Sequence, residues 1–582
     1  MAAETAAPPV AAVAPEAGSK PTKLHGRAFY ESIGSPKYIV APMVDQSEFA
    51  WRMLTRSFLP ESQRRSVLAY TPMFHARLFA ETQKYRDSHF QPTLSSKLPP
   101  TSIDTPDAPY LDGNPAIDRP LFVQFCANDP SSLLSAASIA APFCDAVDLN
   151  LGCPQGIARK GHYGAFLQED QKLIHSLIKT LHEKLPVPVT AKIRILETKE
   201  ATLAYARNVL DAGASILTVH GRRREQKGHM TGVADWEYIR FLRENLPADT
   251  VIFANGNVLQ HGDLQRCLEA TGADGVMSAE GNLSDPALFA QPPAPSEEGR
   301  EYWRGRDGRG GYRVDAVMRR YLDIMHKYVL EQEPPARRPL FVPGDDDGWL
   351  RQAEEEEAGG EDDGEPARKK RRKDGEGGKR GGKMTSATAG PNFVGMQAHL
   401  FHMLRHFVTK HHDVRDALAK GKLGDISVYE SILEMVERKV AEGLLEYEKT
   451  DGRSVEEDMA RNGAYEKGVR DESKPNLEEG VIEDDPDSSV GTVKRCKRPW
   501  WVLQPIVRPL PKEALAKGAI SLSKKERQKL EQEGKSHETT AETQSAVVDA
   551  QSNGNGNVTK PEQTAEKLEK ETSFPTSGLV SG

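Results

Sequence analysis

The chain is 582 residues long with 28% charged and only 38% hydrophobic residues, too polar to be packed core throughout, so a compact folded unit with long solvated appendages is expected. Five cysteines without a C-x2-C pair argue against a disulfide framework or a zinc ribbon, and no apolar run reaches the length of a membrane span. The net charge of -8 does not exclude a polyanionic partner, because residues 451–490 alone hold 13 acids against 5 bases while residues 491–535 hold 12 bases against 4 acids.

Residues 1–35 lack a core-forming pattern and are expected to be disordered; with Glu4, Glu16 and no Arg in the first twenty, they do not resemble a secretory or mitochondrial presequence. From residue 36 to 295 short apolar runs alternate with longer amphipathic stretches. The runs are 38–43, 67–70, 121–125, 146–151, 189–195, 216–220, 251–255 and 275–279, with helical patterning over 131–141, 168–185, 199–212 and 259–270. Eight β-then-α units predict an α/β fold, a (β/α)8 TIM barrel, with an open doubly wound sheet as the competitor. Residues 312–340 and 391–450 predict a smaller helical domain, interrupted over 341–390 by a charged, glycine-rich insert expected to be disordered. That insert holds the run Arg368, Lys369, Lys370, Arg371, Arg372 and Lys373, which reads as a nuclear import signal, an RNA contact or a solvated charge cluster. An acidic linker over 451–490, a basic segment over 491–535 containing Trp500 and Trp501, and a disordered tail over 536–582 complete the chain. The two tryptophans suit either stacking on nucleobases or docking on the folded part, with docking the favoured reading. A soluble monomer with no bound metal, located in the cytoplasm, the nucleus or both, is expected.

In a barrel the C-terminal strand ends build the active site, and here they are polar on nearly every strand. The first gives Ala41-Pro42-Met43-Val44, the third Gln124, the fourth Asp148-Leu149-Asn150-Leu151-Gly152-Cys153-Pro154, and the fifth Lys192 and Arg194. Later strands add His220, Asn255-Gly256-Asn257 and Ala279-Glu280-Gly281. Residues two apart share a face, so Asp148 with Asn150 and Lys192 with Arg194 are pairs that would be costly inside a packed barrel unless something polar bonds to them. The turns at 255–257 and 280–281 occupy the place where TIM barrels bind a phosphate. Lys192 suits the negative charge that appears on a reduced isoalloxazine, and Gln124 suits its pyrimidine edge. Cys153 lies where a strand turns into a loop, and a thiol that is mostly protonated at neutral pH is fit to act as a general acid.

These residues resemble the tRNA-dihydrouridine synthases. The resemblance spans residues 38–289 and rests on Ala41-Pro42-Met43-Val44-Asp45, on Leu149-Asn150-Leu151-Gly152-Cys153-Pro154-Gln155-Gly156, on His162-Tyr163-Gly164-Ala165-Phe166-Leu167 and on Thr218-Val219-His220-Gly221-Arg222. It implies FMN as cofactor, NADPH or NADH as electron donor, and a tRNA D-loop uridine as substrate, with hydride passing from the flavin N5 to C6 and a proton from Cys153 to C5. It further implies that Pro42, Met43 and Val44 line the flavin and that Gln124, Lys192 and His220 contact it. Asn255, Gly256, Asn257, Glu280 and Gly281 would hold its phosphate end, and Asn150 and Arg194 would touch the uracil or the flavin. The run Pro-Met-Val-Asp-Gln-Ser-Glu-Phe-Ala-Trp-Arg looks most like the eukaryotic class that modifies positions 16 and 17. A free-pyrimidine oxidoreductase and a noncatalytic RNA-binding protein stay open as rival readings. With no Gly-x-Gly-x-x-Gly dinucleotide fold after any strand, the electron donor is expected to visit transiently, and a stacked uridine must be flipped out to reach the barrel floor.

Overall fold

Each of the eight apolar runs becomes a strand: β1 (Tyr38–Val40), β2 (Val67–Tyr70), β4 (Leu121–Cys126), β5 (Ala146–Leu151), β6 (Val189–Arg194), β7 (Ile216–His220), β8 (Val251–Asn255) and β9 (Gly275–Ser278). A two-residue strand between the second and the third of these, β3 (Phe74–His75), prolongs the barrel wall beside β4. The computed structural model describes residues 23–98, 105–351, 389–460 and 488–516. All pairings within the large sheet are parallel, and because β2 pairs β4 while β1 pairs both β2 and β9, the eight long strands close into a barrel. Buried on both faces, these strands are near-continuous apolar runs broken by polar residues only where they point inward.

Local chemistry sets the helices between them. Asp129 accepts from the Ser132 N–H ahead of Pro130–Ala140, Asp170 from Leu173 N–H ahead of Gln171–Lys184, and Thr198 from Ala201 N–H ahead of Lys199–Asp211, each satisfying a first-turn donor. Gln171–Lys184 then buries Ile174, Leu177, Ile178 and Leu181, the spacing of one helical face.

Residues 23–35 differ from the expectation of disorder. The helix Gly26–Ser32 closes the barrel at the N-terminal ends of its strands, with Phe29 stacked on Phe122 at 5.9 Å and Arg27 Nη1 donating to Asp274 Oδ1 at 2.6 Å. Tyr30 hydroxyl donates to the Asp274 carbonyl at 3.1 Å. Seven residues with two inward aromatics, flanked by Ala, Pro and Lys, are too short a pattern to stand out in sequence.

Beyond the barrel, a two-stranded hairpin, β10 (Tyr302–Arg304) and β11 (Gly310–Tyr312), leads into the helix Val314–Ile324 and a π-helical turn Met325–Leu330. The helices Pro391–Met403, Arg405–Val408, His412–Lys420 and Ile426–Lys449 complete the second domain. Here too order extends past the expected bounds. Phe341 and Leu350 are buried, with Phe341 meeting Trp349 edge-on, so the insert expected over 341–390 begins as packed chain; its basic run lies outside the described residues. Arg453–Ala460 is helical at the start of the expected acidic linker because Val455 finds a buried site. Among the described residues no helix is long and apolar enough to cross a membrane.

Candidate active site

The parallel register assembles the polar residues. Gln124 pairs with Asp148, Asn150 with Lys192, Arg194 with His220, and His220 with Asn255, so these side chains share the inner face in rising rows. At the floor, Asp148 is fully buried and accepts from Thr190 Oγ1 at 2.6 Å and from Gln124 Nε2 at 2.8 Å. Burial pushes its pKa up to about 6 against those hydrogen bonds. Gln124 in turn accepts at Oε1 from Asn150 Nδ2 at 2.8 Å, leaving only one of its own amide hydrogens for a ligand. Gln124 is thus the base on which Asn150 stands.

Asn150 aims the cysteine loop. Its Oδ1 accepts from the Gly152 N–H at 3.1 Å and the Cys153 N–H at 2.9 Å, an Asx turn that ends the strand. Arg194 Nε donates to the Gly152 carbonyl at 2.7 Å from the other side. A second loop closes over the cysteine: Ala165 N–H donates to the Cys153 carbonyl at 3.1 Å, and Gly164, with φ of 64°, lies where a Cβ would come within 2.9 Å of Cys153 Cβ. The motif at 162–167 is therefore a lid on Cys153, and its glycine has a steric cause. The thiol packs beside Cys126, Ala158 and Tyr163 yet remains partly accessible. Burial raises its pKa, with Arg194, Lys192 and Lys227 opposing. At neutral pH it is a protonated thiol facing cations that favour the thiolate once the proton leaves.

Lys192 extends into the barrel mouth with no hydrogen-bond partner for its ammonium among the described residues. Burial, reinforced by Arg194, holds its pKa down to about 7. His220 is buried and held well below the ordinary histidine range by burial and by Arg194, Lys192 and Arg222. Arg222 Nη1 lies 3.2 Å from His220 Nε2; since a guanidinium only donates, the ring accepts at Nε2 and carries its proton on Nδ1.

The turns after β8 and β9 form one small pocket, lined by Asn255, Gly256, Asn257, Ala279, Glu280 and Gly281 with Arg222 at its side. Glycine is required at two of these positions. A Cβ on Gly256, whose φ is 117°, would meet the Ala234 Cβ at 2.6 Å, and one on Gly281 would meet the Val258 carbonyl oxygen at 2.1 Å. Asn257, at φ of 59°, accepts from Arg222 Nη2 at 2.6 Å. A narrow cradle beside the half-buried guanidinium of Arg222 suits a phosphate.

The structure thus brings together Asn150, Cys153, Lys192, Arg194, His220 and the two glycine turns. Pro42 and Met43 follow β1 at the mouth, with Met43 buried and its N–H donating to Ser47 Oγ at 3.0 Å, whereas Val44 stands at the rim, 52% exposed. Glu280 gives its carboxylate to a bidentate pair with Arg508. Arg222 ends the motif at 218–222 with no role expected of it, and its place two residues beyond His220 is the signal for one. His399 is fully buried, stacked on Trp51 at 4.2 Å with its Nε2 2.9 Å from Glu48, and His406 Nε2 lies 3.3 Å from the Pro505 carbonyl. Trp501 is buried and meets Trp303 and Trp500 edge-on, as the docking reading expected.

Residues 39–327 match the family model described as Dihydrouridine synthase (Dus). The chain is 39% identical over 489 residues to a Schizosaccharomyces pombe protein named tRNA-dihydrouridine(16/17) synthase, covering 84% of this chain and 92% of that one. It is 53% identical over 303 residues to a Saccharomyces cerevisiae protein of the same name, covering 52% and 63%, and 46% identical over 282 residues to a Mus musculus protein named as like that synthase, covering 48% and 54%. With a relative matched over nearly its whole length and a barrel mouth built around Cys153, the chain belongs to the dihydrouridine synthase family.

Proposed function

We propose that the protein reduces the 5,6 double bond of uridine at positions 16 and 17 of the tRNA D loop, drawing electrons from NAD(P)H through FMN. The positions and the donor follow the names of the Schizosaccharomyces pombe and Saccharomyces cerevisiae relatives. The observation that carries the chemistry is the thiol of Cys153, kept protonated by burial and aimed by Asn150 and Arg194 into a mouth whose far side is a phosphate-sized cradle. FMN fits that mouth: the cradle at 255–257 and 280–281 with Arg222 would hold its phosphate, Lys192 and His220 would meet its ring, and Pro42, Met43 and Val44 would border it. When bound it supplies the hydride that adds to C6.

The chain's own residues do the rest. Cys153 gives its proton to C5, so that hydride and proton complete the saturated ring and the sulfur is left as thiolate. Arg194, Lys192 and Lys227 favour that thiolate until solvent returns the proton. Lys192, whose ammonium has no hydrogen-bond partner among the described residues, stands ready to balance negative charge on the reduced cofactor, and neutral His220 offers a hydrogen-bond donor at Nδ1 without adding a charge. The uridine must leave its stack to enter.

The test is incubation of the purified protein with an unmodified tRNA transcript and NADPH, mapping dihydrouridine by primer extension. Dihydrouridine at 16 and 17 is expected. A transcript left unmodified, with a free pyrimidine reduced instead, overturns the substrate; modification elsewhere in the tRNA overturns the positions.

Two further properties belong to this reading. A monomer in light scattering is expected, and a dimer overturns this. The basic run at 368–373 directs part of the protein to the nucleus; deleting it lowers the nuclear share of a tagged copy, and an unchanged distribution overturns this.

A further inference from the structure

We infer that the segment around Arg508 is a strap whose arginine completes the cofactor's phosphate site by neutralising Glu280. This inference rests on the flavin reading above and deepens it. The segment lies beyond the family match, which ends at residue 327. It is fastened along its length. Val314 N–H donates to the Trp501 carbonyl and Leu503 N–H to the Tyr312 carbonyl, both at 2.9 Å, while Trp501, Val502 and Leu503 are buried. The helix Pro511–Ala516 then reaches the loop that follows β7, with Pro511 beside Gly232. Between these anchors Arg508 presents Nε and Nη2 to both oxygens of Glu280.

The electrostatics say why the pair is there. Glu280 lines the pocket whose other walls are glycine turns and Arg222. A free carboxylate at that wall would repel an incoming phosphate, and a bidentate guanidinium removes that repulsion while holding the side chain off the cradle. Arg222, Glu280 and Arg508 act on one another as a group, since both the acid and the second arginine bear on the ionisation of Arg222. The barrel therefore reads its cofactor with help from a distant part of the chain.

The experiment is a set of flavin titrations on the deflavinated full-length protein, comparing FMN with riboflavin, which lacks the phosphate. Arg508→Ala is expected to bind FMN roughly ten-fold more weakly and riboflavin as the parent does, with an unchanged melting temperature. Glu280→Gln together with Arg508→Ala is expected to regain most of the FMN affinity, because the repulsion is gone. Equal FMN affinity in Arg508→Ala and the parent overturns the inference, as does equal loss of both flavins or a loss that Glu280→Gln fails to relieve. A parent protein that takes up neither flavin overturns the flavin reading itself.

Discussion

At the scale of the residue, the site is a set of groups kept in the protonation states that the chemistry needs. Cys153, half-buried, is a thiol and His220, fully buried, a neutral ring because both are desolvated, and Lys192 is a cation only marginally, near pH 7, for the same reason. Such a lysine costs stability when no anion is bound. Its pKa is about 7 in the fold and near 10.4 in an unfolded chain, so between those values the unfolded state binds more protons and stability rises with pH. Deflavinated Lys192→Met is therefore expected to melt above the deflavinated parent at pH 7, with the gap closing toward pH 10. A parent that melts higher at pH 7, or a gap that ignores pH, would contradict this. Residue type and position alone left Cys153 and Lys192 open between a site and an ordinary strand-end role, and it was the motif at 149–156 that singled out the cysteine. Gln124 was legible as a site residue but not as the base beneath Asn150, because a sequence does not show which partner saturates an amide.

At the scale of the element, the helix Phe49–Ser57 ties the two domains together. Trp51 donates from Nε1 to Asn282 Oδ1 at 2.8 Å and stacks on His399, while Arg52 and Arg56 converge on Asp118. These guanidiniums and Asp118 are essentially excluded from water, at 1% exposure or less. Asp118→Asn leaves Arg56 buried without a carboxylate partner, while Arg52 keeps Asp112 at 2.8 Å, and is expected to destabilise the protein by about 3–5 kcal/mol, measured by denaturant unfolding; a change under about 1 kcal/mol would show that the network is not fully desolvated. The run from Asp45 to Arg52 was recognisable as a family signature, but its work is largely structural, joining β1 to the helical domain through Glu48 and His399. The strands were legible because alternation and apolar runs are local. The hairpin at 302–312 was not, since its three-residue strands depend on Trp501, Val502 and Leu503 lying alongside them.

For the whole molecule, the closed barrel, the second helical domain and the place of the site at the strand ends were all readable from pattern and spacing. What was not readable was long-range closure: the plug helix Gly26–Ser32 at one end of the barrel and the strap carrying Arg508 at the other, which are near in space to residues hundreds of positions away. Charge told little about the fold, as the acidic and basic stretches lie in separate parts of the chain. Binding of tRNA through phosphate contacts is expected to weaken steeply between 50 and 200 mM salt, as read by filter retention; a flat response would mean recognition without the phosphate backbone. Whether Cys153 protonates a uridine in tRNA is decided by anaerobic mixing of NADPH-reduced protein with unmodified tRNA. Rapid flavin oxidation with dihydrouridine formed is expected in the parent, and in Cys153→Ala an oxidation slowed by about 100- to 10,000-fold with flavin and tRNA still bound. A flavin that stays reduced in the parent, or a Cys153→Ala protein that reoxidises as fast as the parent, would contradict it.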